Sequence, residues 1–198
     1  MRSSLRLVTP SLDLLSSYTA ALETGWSPNN VTNVSGEQLA AIHRDPAAFI
    51  DDLLRQGGTI TLPDGMKVPK LPFITRWMSD GEFCGQISLR WQPGTDALPP
   101  YVLGHVGYAV VPWKQRRGYA TEALRLMLEE ARGAGLGRLE ITTDSQNAAS
   151  RRVIERNGGE LVEEFVNDRY GPDIRLRYVV RLRRDGQHRY AATRSESL

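Results

Sequence analysis

The chain has 198 residues, is 40% hydrophobic and 24% charged, and carries a formal net charge of +2. These are globular averages, enough for one sizeable core and too nearly neutral to argue for a nucleic-acid partner. A single cysteine, Cys84, excludes an intramolecular disulfide framework and a multi-thiolate zinc site, and no run approaches the ~18 apolar residues of a membrane span; a soluble, cytoplasmic protein with no membrane partner is the expectation.

Taken in chain order, Leu5 to Val8 reads as a short strand, and Leu12, Leu14, Leu15, Tyr18 and Leu22 follow at roughly helical intervals. A second helical region begins near Ser35, with Glu37 and Gln38 in its first turn, is split by Pro46 and ends at Gly57-Gly58. "PFITRWMSDGEFCGQISLRW" contains two strand-like runs around Asp80-Gly81, a dipeptide that favours the positive φ angles of a tight hairpin. "VLGHVGYAVV" is another strand, after which Ala120, Ala123, Leu124, Met127, Leu128 and Ala131 form one apolar helical stripe. "RLEITTD" reads as a strand, "NAASRRVIERNGG" as a helix closed by Asn157-Gly158, and "ELVEEFVND" and "IRLRYVVRL" as a final strand pair. This order predicts an α/β (α+β) fold, a mixed and mostly antiparallel sheet flanked by helices, as one domain over residues 1–183. Residues 184–198 lack apolar periodicity and read as an Arg-rich, flexible tail, without the interleaved aromatics that would make it a nucleic-acid binder.

The junction "VVPWKQRRGYATEAL" places positive charge and glycine at the start of the strongest helix. The first N–H groups of a helix lack internal partners and its dipole adds partial positive charge, so a strand that delivers the chain there creates an anion site. Gly118 leaves room for a ligand against the backbone, Ala120 stays small, and Lys114, Arg116 and Arg117 add charge. The alternative is a turn glycine beside a solvated basic loop. No nucleotide P-loop string occurs, and "GAGLGR" at Gly133 lies between a helix and a strand, where it serves as a helix stop.

"QRRGYA", Gln115 to Ala120, matches the R/Q-x-x-G-x-G/A signature of the GNAT superfamily of N-acetyltransferases, after a strand and before an amphipathic helix. "DSQNAASRRVIERNGGEL" is similar to that family's second cofactor segment. The likeness covers roughly Leu5 to Leu182, and is strongest to members with a G-H-I/V-G-Y strand. The resemblance implies a single GNAT-like domain that moves an acetyl group from acetyl-CoA to a primary amine, on a small molecule or a protein N-terminus or lysine, by direct attack in a ternary complex and without a metal. It implies pantetheine on the backbone of Val110 and Val111. Pyrophosphate would lie on the N–H groups of Gln115, Arg116, Arg117, Gly118, Tyr119 and Ala120, with Thr121 nearby. Asn147 would reach the pantetheine or cap its helix, and Ser150 would meet the thiol end or pack.

The chemistry requires a neutral nitrogen, an oxyanion donor and a proton for the departing thiolate. His105 is the expected base, with Tyr108 and Glu82 in reserve, so the rate would rise as pH passes about 6.5. Members of the family often carry a catalytic Glu where this chain has Gly104, and a tyrosine acid where it has Ile154. Ser150, Tyr108 or solvent would then supply the proton, and the N–H of Val110 or Val111 would hold the oxyanion. Cys84 reads as a small buried hydrophobe rather than an acyl-enzyme nucleophile. Trp26 and Trp91 lie where the family's acceptor groove forms, with core packing the alternative. A non-catalytic coenzyme A-binding regulatory module is the alternative function, and a homodimer is allowed.

Overall fold

Two strand runs around Asp80-Gly81 make the central hairpin of the protein, and both are continuously buried next to the turn, where both faces of the sheet are covered, and alternate further from it. The computed structural model describes residues 5–62 and 64–182; the tail expected at 184–198 lies outside them. The elements in order are β1 (Arg6–Val8), α1 (Leu15–Glu23), α2 (Ser35–Arg44), α3 (Pro46–Leu54), β2 (Thr59–Thr61), β3 (Lys67–Pro69), β4 (Phe73–Ser79), β5 (Phe83–Arg90), β6 (Val106–Val110), α4 (Tyr119–Gly133), β7 (Arg138–Asp144), α5 (Ala148–Arg156), β8 (Gly159–Phe165) and β9 (Arg175–Arg181). Pro46 splits the second helical region as expected, because Asp45 caps α3 by accepting from the N–H groups of Ala47 and Ala48. The hairpin β2–β3 was not anticipated. It is two strands of three residues, too short to show a period.

The expected antiparallel sheet with helices is present, but it is opened into two. One sheet has the order β1-β4-β5-β6 and the other β7-β9-β8, and every ladder in both is antiparallel. Between the edge strands β6 and β7 the backbone is joined at His105, whose N–H donates to Glu140 O at 2.7 Å. The His105 ring adds a second tie, accepting from the Glu140 N–H at Nδ1 over 2.9 Å. Gly104 is needed there, since an added Cβ would stand 3.0 Å from Glu140 O and 3.1 Å from Thr142 N.

Two cores cover the opposite faces of the four-stranded sheet. The α4 stripe of Ala123, Leu124, Met127, Leu128 and Ala131 buries against Met78, Ile87, Leu89 and Val106 on one side and Leu139, Ile141 and Tyr178 on the other. This stripe closes both sheets onto one helix, which is why α4 carries the strongest pattern in the sequence. The other face holds an aromatic core in which Tyr18 stacks on Trp77 at 4.6 Å and meets Phe83 edge-on at 4.9 Å. Trp26 packs edge-on against Tyr18 and Phe83, and Trp91 lies against the first core, so both take the packing alternative.

A charged cluster ties the β4–β5 turn to the approach of α4. Lys114 Nζ donates to both carboxylate oxygens of Asp80 and to Glu82 Oε2, each at 3.0 Å, and Tyr119 donates its hydroxyl to Asp80 at 2.7 Å. The Asp80 and Lys114 side chains are each only 10% exposed. Burial alone would raise the Asp80 pKa, but hydrogen bonds from Tyr119 and Lys114 outweigh it and hold the carboxyl well below its ordinary range. Burial likewise disfavours the Lys114 charge, and its bonds to Glu82 and Asp80 more than restore it.

Removing one partner of a buried pair leaves the other charge uncompensated. Lys114→Met is expected to cost about 3 kcal/mol at neutral pH, roughly 6–12 °C in melting temperature for a chain of this size. Because the native Asp80 pKa is depressed, the wild-type advantage is complete above the ordinary value of 3.8 and is lost as pH falls below it. Thermal melts of both proteins across pH read this, and equal melting temperatures at pH 7 would refute it.

Candidate active site

The gap between the two sheets exposes one edge of β6. Along that strand the odd positions bond β5: Arg90 N–H donates to His105 O at 2.8 Å and Val111 N–H to Cys84 O at 3.0 Å. Alternation therefore turns the backbone groups of Tyr108 and Val110 away from β5, into the gap. Their carbonyls confirm the direction, since Asn30 Nδ2 donates to Tyr108 O at 3.0 Å and Gln115 Nε2 to Val110 O at 3.3 Å. Of the two expected donors, Val110 is correctly oriented. Val111 is not: its N–H is used inside the sheet, and its C=O accepts from Lys114 N–H at 3.0 Å.

The same edge leads to the start of α4 through two left-handed positions, Arg116 at φ 58° and Gly118 at φ 83°. Such alternation curls successive N–H groups toward a common side, and the helix N-terminus continues the set through Tyr119, Ala120 and Thr121. A Cβ at Gly118 would meet nothing within 4 Å, so within the chain the glycine answers to its φ rather than to crowding. Arg116 and Arg117 are exposed beside it. Lys114, expected to join them, is instead buried and bound by Asp80 and Glu82. The two carboxylates lining this cleft are compensated, Asp80 by Lys114 and Tyr119 and Glu122 by Arg125 at 2.8 Å. The Tyr119 phenol is thereby committed, which leaves its backbone as the ligand-facing group.

At the other end of the gap the structure brings Tyr108 and Ser150 together. The Tyr108 hydroxyl lies 2.9 Å from Ser150 Oγ and 3.3 Å from Ser150 O, bridging β6 to α5. Burial pushes the Tyr108 phenol up to about 12 against the lowering effect of Ser150, so it is protonated at neutral pH. Asn147 takes the capping role with one end of its amide, Oδ1 accepting from Ser150 N–H at 3.0 Å, and keeps its NH2 end outward on an exposed side chain. Ile154 is fully buried in the first core, so its position offers the gap neither a hydroxyl nor an approach.

His105 does not fit the role of base. It is fully buried, and Nδ1 accepts the Glu140 N–H, which places the neutral ring's proton on Nε2. Neither nitrogen then presents a lone pair to a ligand. Burial depresses its pKa below 6.5 despite the Glu140 contact, keeping it neutral. The ring latches β6 to β7. Glu82, in reserve as a base, is held by Lys114 at the β4–β5 turn, and Cys84 is fully buried with its thiol pushed up to about 12 by burial. Both are unsuited to proton abstraction or nucleophilic attack at the gap.

On the face of the four-stranded sheet opposite α4, over β4 and β5, lies a groove of about 320 Å³ that no sequence signal marked. Phe73, Thr75, Ser88 and Arg90 form its floor, and Tyr101, Tyr170 and the β2–β3 hairpin form its walls. Thr75 and Ser88 face each other across the β4–β5 ladder at 3.2 Å. The Tyr170 hydroxyl donates to Tyr101 O at 2.8 Å, tying the two wall loops together.

The fold recurs in known structures. RimJ of Mycobacterium smegmatis in complex with CoA-disulfide superposes with a TM-score of 0.60 at 18% identity over 89% of this chain and 81% of that one. A GNAT-family acetyltransferase from Bacillus anthracis gives 0.58 at 14% identity over 91% and 96%. The yncA protein of Salmonella typhimurium, solved with its cofactor acetyl-CoA, gives 0.52 at 18% over 95% and 98%. These identities establish a shared fold. A search of curated proteins returns no match. The acetyltransferase (GNAT) domain profile matches residues 54–160, from the end of α3 through α5, the span that carries β6, the turn at Gly118 and the Tyr108–Ser150 pair. On that match the chain belongs to the GNAT family of acetyltransferases.

Proposed function

We propose that the protein transfers an acetyl group from acetyl-CoA to a primary amine, by direct attack while both substrates are bound. The observation that carries this reading is the opened edge of β6, which runs from the Tyr108–Ser150 pair, past the inward-turned Val110 N–H, to the N–H-rich turn at Gly118. Such an edge fits an extended, amide-bearing arm with a polyanionic end. The N–H groups from Gln115 to Thr121, with Arg116 and Arg117, would hold the pyrophosphate. Asn147 and Val110 would bond the pantetheine. Relatives of the same fold were solved with acetyl-CoA or a coenzyme A derivative, which supports the choice.

Bound acetyl-CoA supplies a thioester carbon open to a neutral amine. Val110 N–H is the backbone donor turned toward the gap and would stabilise negative charge on the carbonyl oxygen. The Tyr108–Ser150 hydroxyl pair donates a proton toward the leaving sulfur. A thiol of pKa near 8.5 needs little help, so this contribution is modest. With His105 and Glu82 withdrawn and the Tyr108 phenol held protonated, the amine proton leaves to water. The chain supplies positioning and electrostatics rather than a base.

A coenzyme A-binding module without turnover is the second reading, favoured by the same withdrawal of His105 from base chemistry. Free-thiol release from acetyl-CoA with a panel of amines decides between them: binding without release supports the module.

Gly118→Val is expected to raise the coenzyme A dissociation constant about tenfold or more, close to 1.4 kcal/mol, because a branched residue resists the left-handed backbone that aims the N–H groups. Unchanged affinity by calorimetry in a folded variant would count against this phosphate site. Ser150→Ala combined with Tyr108→Phe should lower turnover roughly ten- to a hundredfold while leaving affinity for acetyl-CoA within a few fold.

For His105 a latch is distinguished from a base by pH. With a latch, kcat/KM climbs toward the acceptor's own pKa, near 10 for an alkylamine, rather than levelling just above 6.5. His105→Asn, which keeps an acceptor for the Glu140 N–H, should retain turnover. Because the native His105 pKa is depressed, wild-type stability should fall as pH drops below 6.5 by an increment the Asn variant lacks. A hundredfold loss of turnover in a stable Asn variant would restore the base assignment.

A further inference from the structure

We infer that the groove over β4 and β5 selects acceptor amines that carry an anionic group, with Arg90 as the residue that recognises it. The inference rests on the acetyltransferase reading above and specifies the substrate class of that same site. Among the described residues its wall and floor contain two cations, Lys70 and Arg90, and no carboxylate, while most of the remaining surface is apolar, from Val31, Leu62, Leu71, Phe73 and Val102 among others. The two cations are not equivalent. Lys70 Nζ donates to Arg55 O at 2.7 Å and sits 4.0 Å over the Phe73 ring, so its charge is occupied in holding β3 to the end of α3. The Arg90 guanidinium is paired with no carboxylate among the described residues, and the Tyr170 phenol beside it, its pKa raised by burial, is uncharged at neutral pH.

A guanidinium set in an apolar pocket is costly unless a counter-charge arrives, and its planar fork matches a carboxylate or phosphate by paired hydrogen bonds. A complementary ligand therefore has an apolar body and an anionic head. The placement of Arg90 also sets where the head lies relative to the reacting nitrogen. Its Nη2 stands over Gly107, close enough that an added Cβ there would come within 3.4 Å. Val110, whose N–H turns into the gap, is three residues further along β6, about 10 Å at strand rise. The anion and the amine of the acceptor are consequently several bonds apart. Gly107 keeps the floor of the path between them free of a side chain.

The test compares matched amines with and without the anion. para-(Aminomethyl)benzoate is set against para-methylbenzylamine, and para-(aminomethyl)phenyl phosphate against the corresponding methyl ether, which separates carboxylate from phosphate recognition. In the wild type one of the anionic members is expected to exceed its neutral partner about tenfold or more in kcat/KM, the scale of a charge-assisted hydrogen bond. Where turnover is slow, the same ratio is read from binding to coenzyme A-saturated protein. Arg90→Leu should bring the ratio near one, and Arg90→Lys should recover part of it. Coenzyme A affinity is measured by calorimetry on every protein. Failure of the wild type to bind coenzyme A would overturn the acetyltransferase reading itself. Coenzyme A binding with no preference for either anionic member, or a preference that survives Arg90→Leu, would overturn the role of Arg90.

Discussion

The separation of β6 from β7 is the constraint from which the rest of the site follows. The two strands are brought together where Gly104 allows backbone to approach backbone and where His105 spends both its N–H and its Nδ1 on Glu140. Beyond that latch, no ladder joins them among the described residues, and the alternation of β6 leaves the N–H groups of Tyr108 and Val110 without a neighbouring strand. An open edge of this kind is ordinarily a liability, because it invites pairing with another chain. Here side chains of the same protein approach it, Asn30 at Tyr108 O and Gln115 at Val110 O. The edge is narrow, lined and suited to an extended ligand.

The two cores divide the work around that edge. The aliphatic core under α4 holds both sheets to one helix, so the N-terminus of α4 and the opening between the strands keep a fixed relation. The aromatic core of Tyr18, Trp77, Phe83 and Trp26 anchors α1 to the opposite face, and the loop after α1 carries Asn30 back to β6. The groove around Arg90 begins where this second core stops, on the same face and the same strands, at Thr75, Ser88 and Arg90. The Asp80–Lys114–Glu82 cluster joins the two regions by pinning the β4–β5 turn to the approach of α4. It also compensates Asp80, a carboxylate that lines the cleft at the start of α4.

The chemistry left to the chain is correspondingly spare. Backbone donors, a helix terminus and a hydroxyl pair are fixed dipoles that need no reorganisation, whereas His105, Lys114 and Glu82 serve the fold. Gly104 illustrates the trade. A side chain there would collide with β7, so the close approach that forms the latch excludes a carboxylate from the position where the family often carries one.

Much of this was legible in the amino-acid sequence. The stripe on α4, the hairpin turn at Asp80-Gly81, the break at Pro46 and the left-handed Gly118 at the start of α4 each depend on neighbours a few residues away, and local periodicity and turn chemistry report such neighbours directly. Ser150 and Tyr108 were separately identifiable as proton donors, although their contact spans 42 positions in sequence. The role of His105, the capture of Lys114 by Asp80, the loss of the Val111 N–H to Cys84 and the groove around Arg90 were not legible. Each depends on which way a strand faces or which distant segment meets it: Glu140 for His105, the β4–β5 turn for Lys114, and the loops of Tyr101 and Tyr170 for Arg90. The sequence by itself determined that a glycine beside basic residues opens α4, because a glycine-opened helix is a local structure. Tertiary packing decided which side chains remained available to do chemistry beside it, because that depends on contacts between segments far apart in the chain.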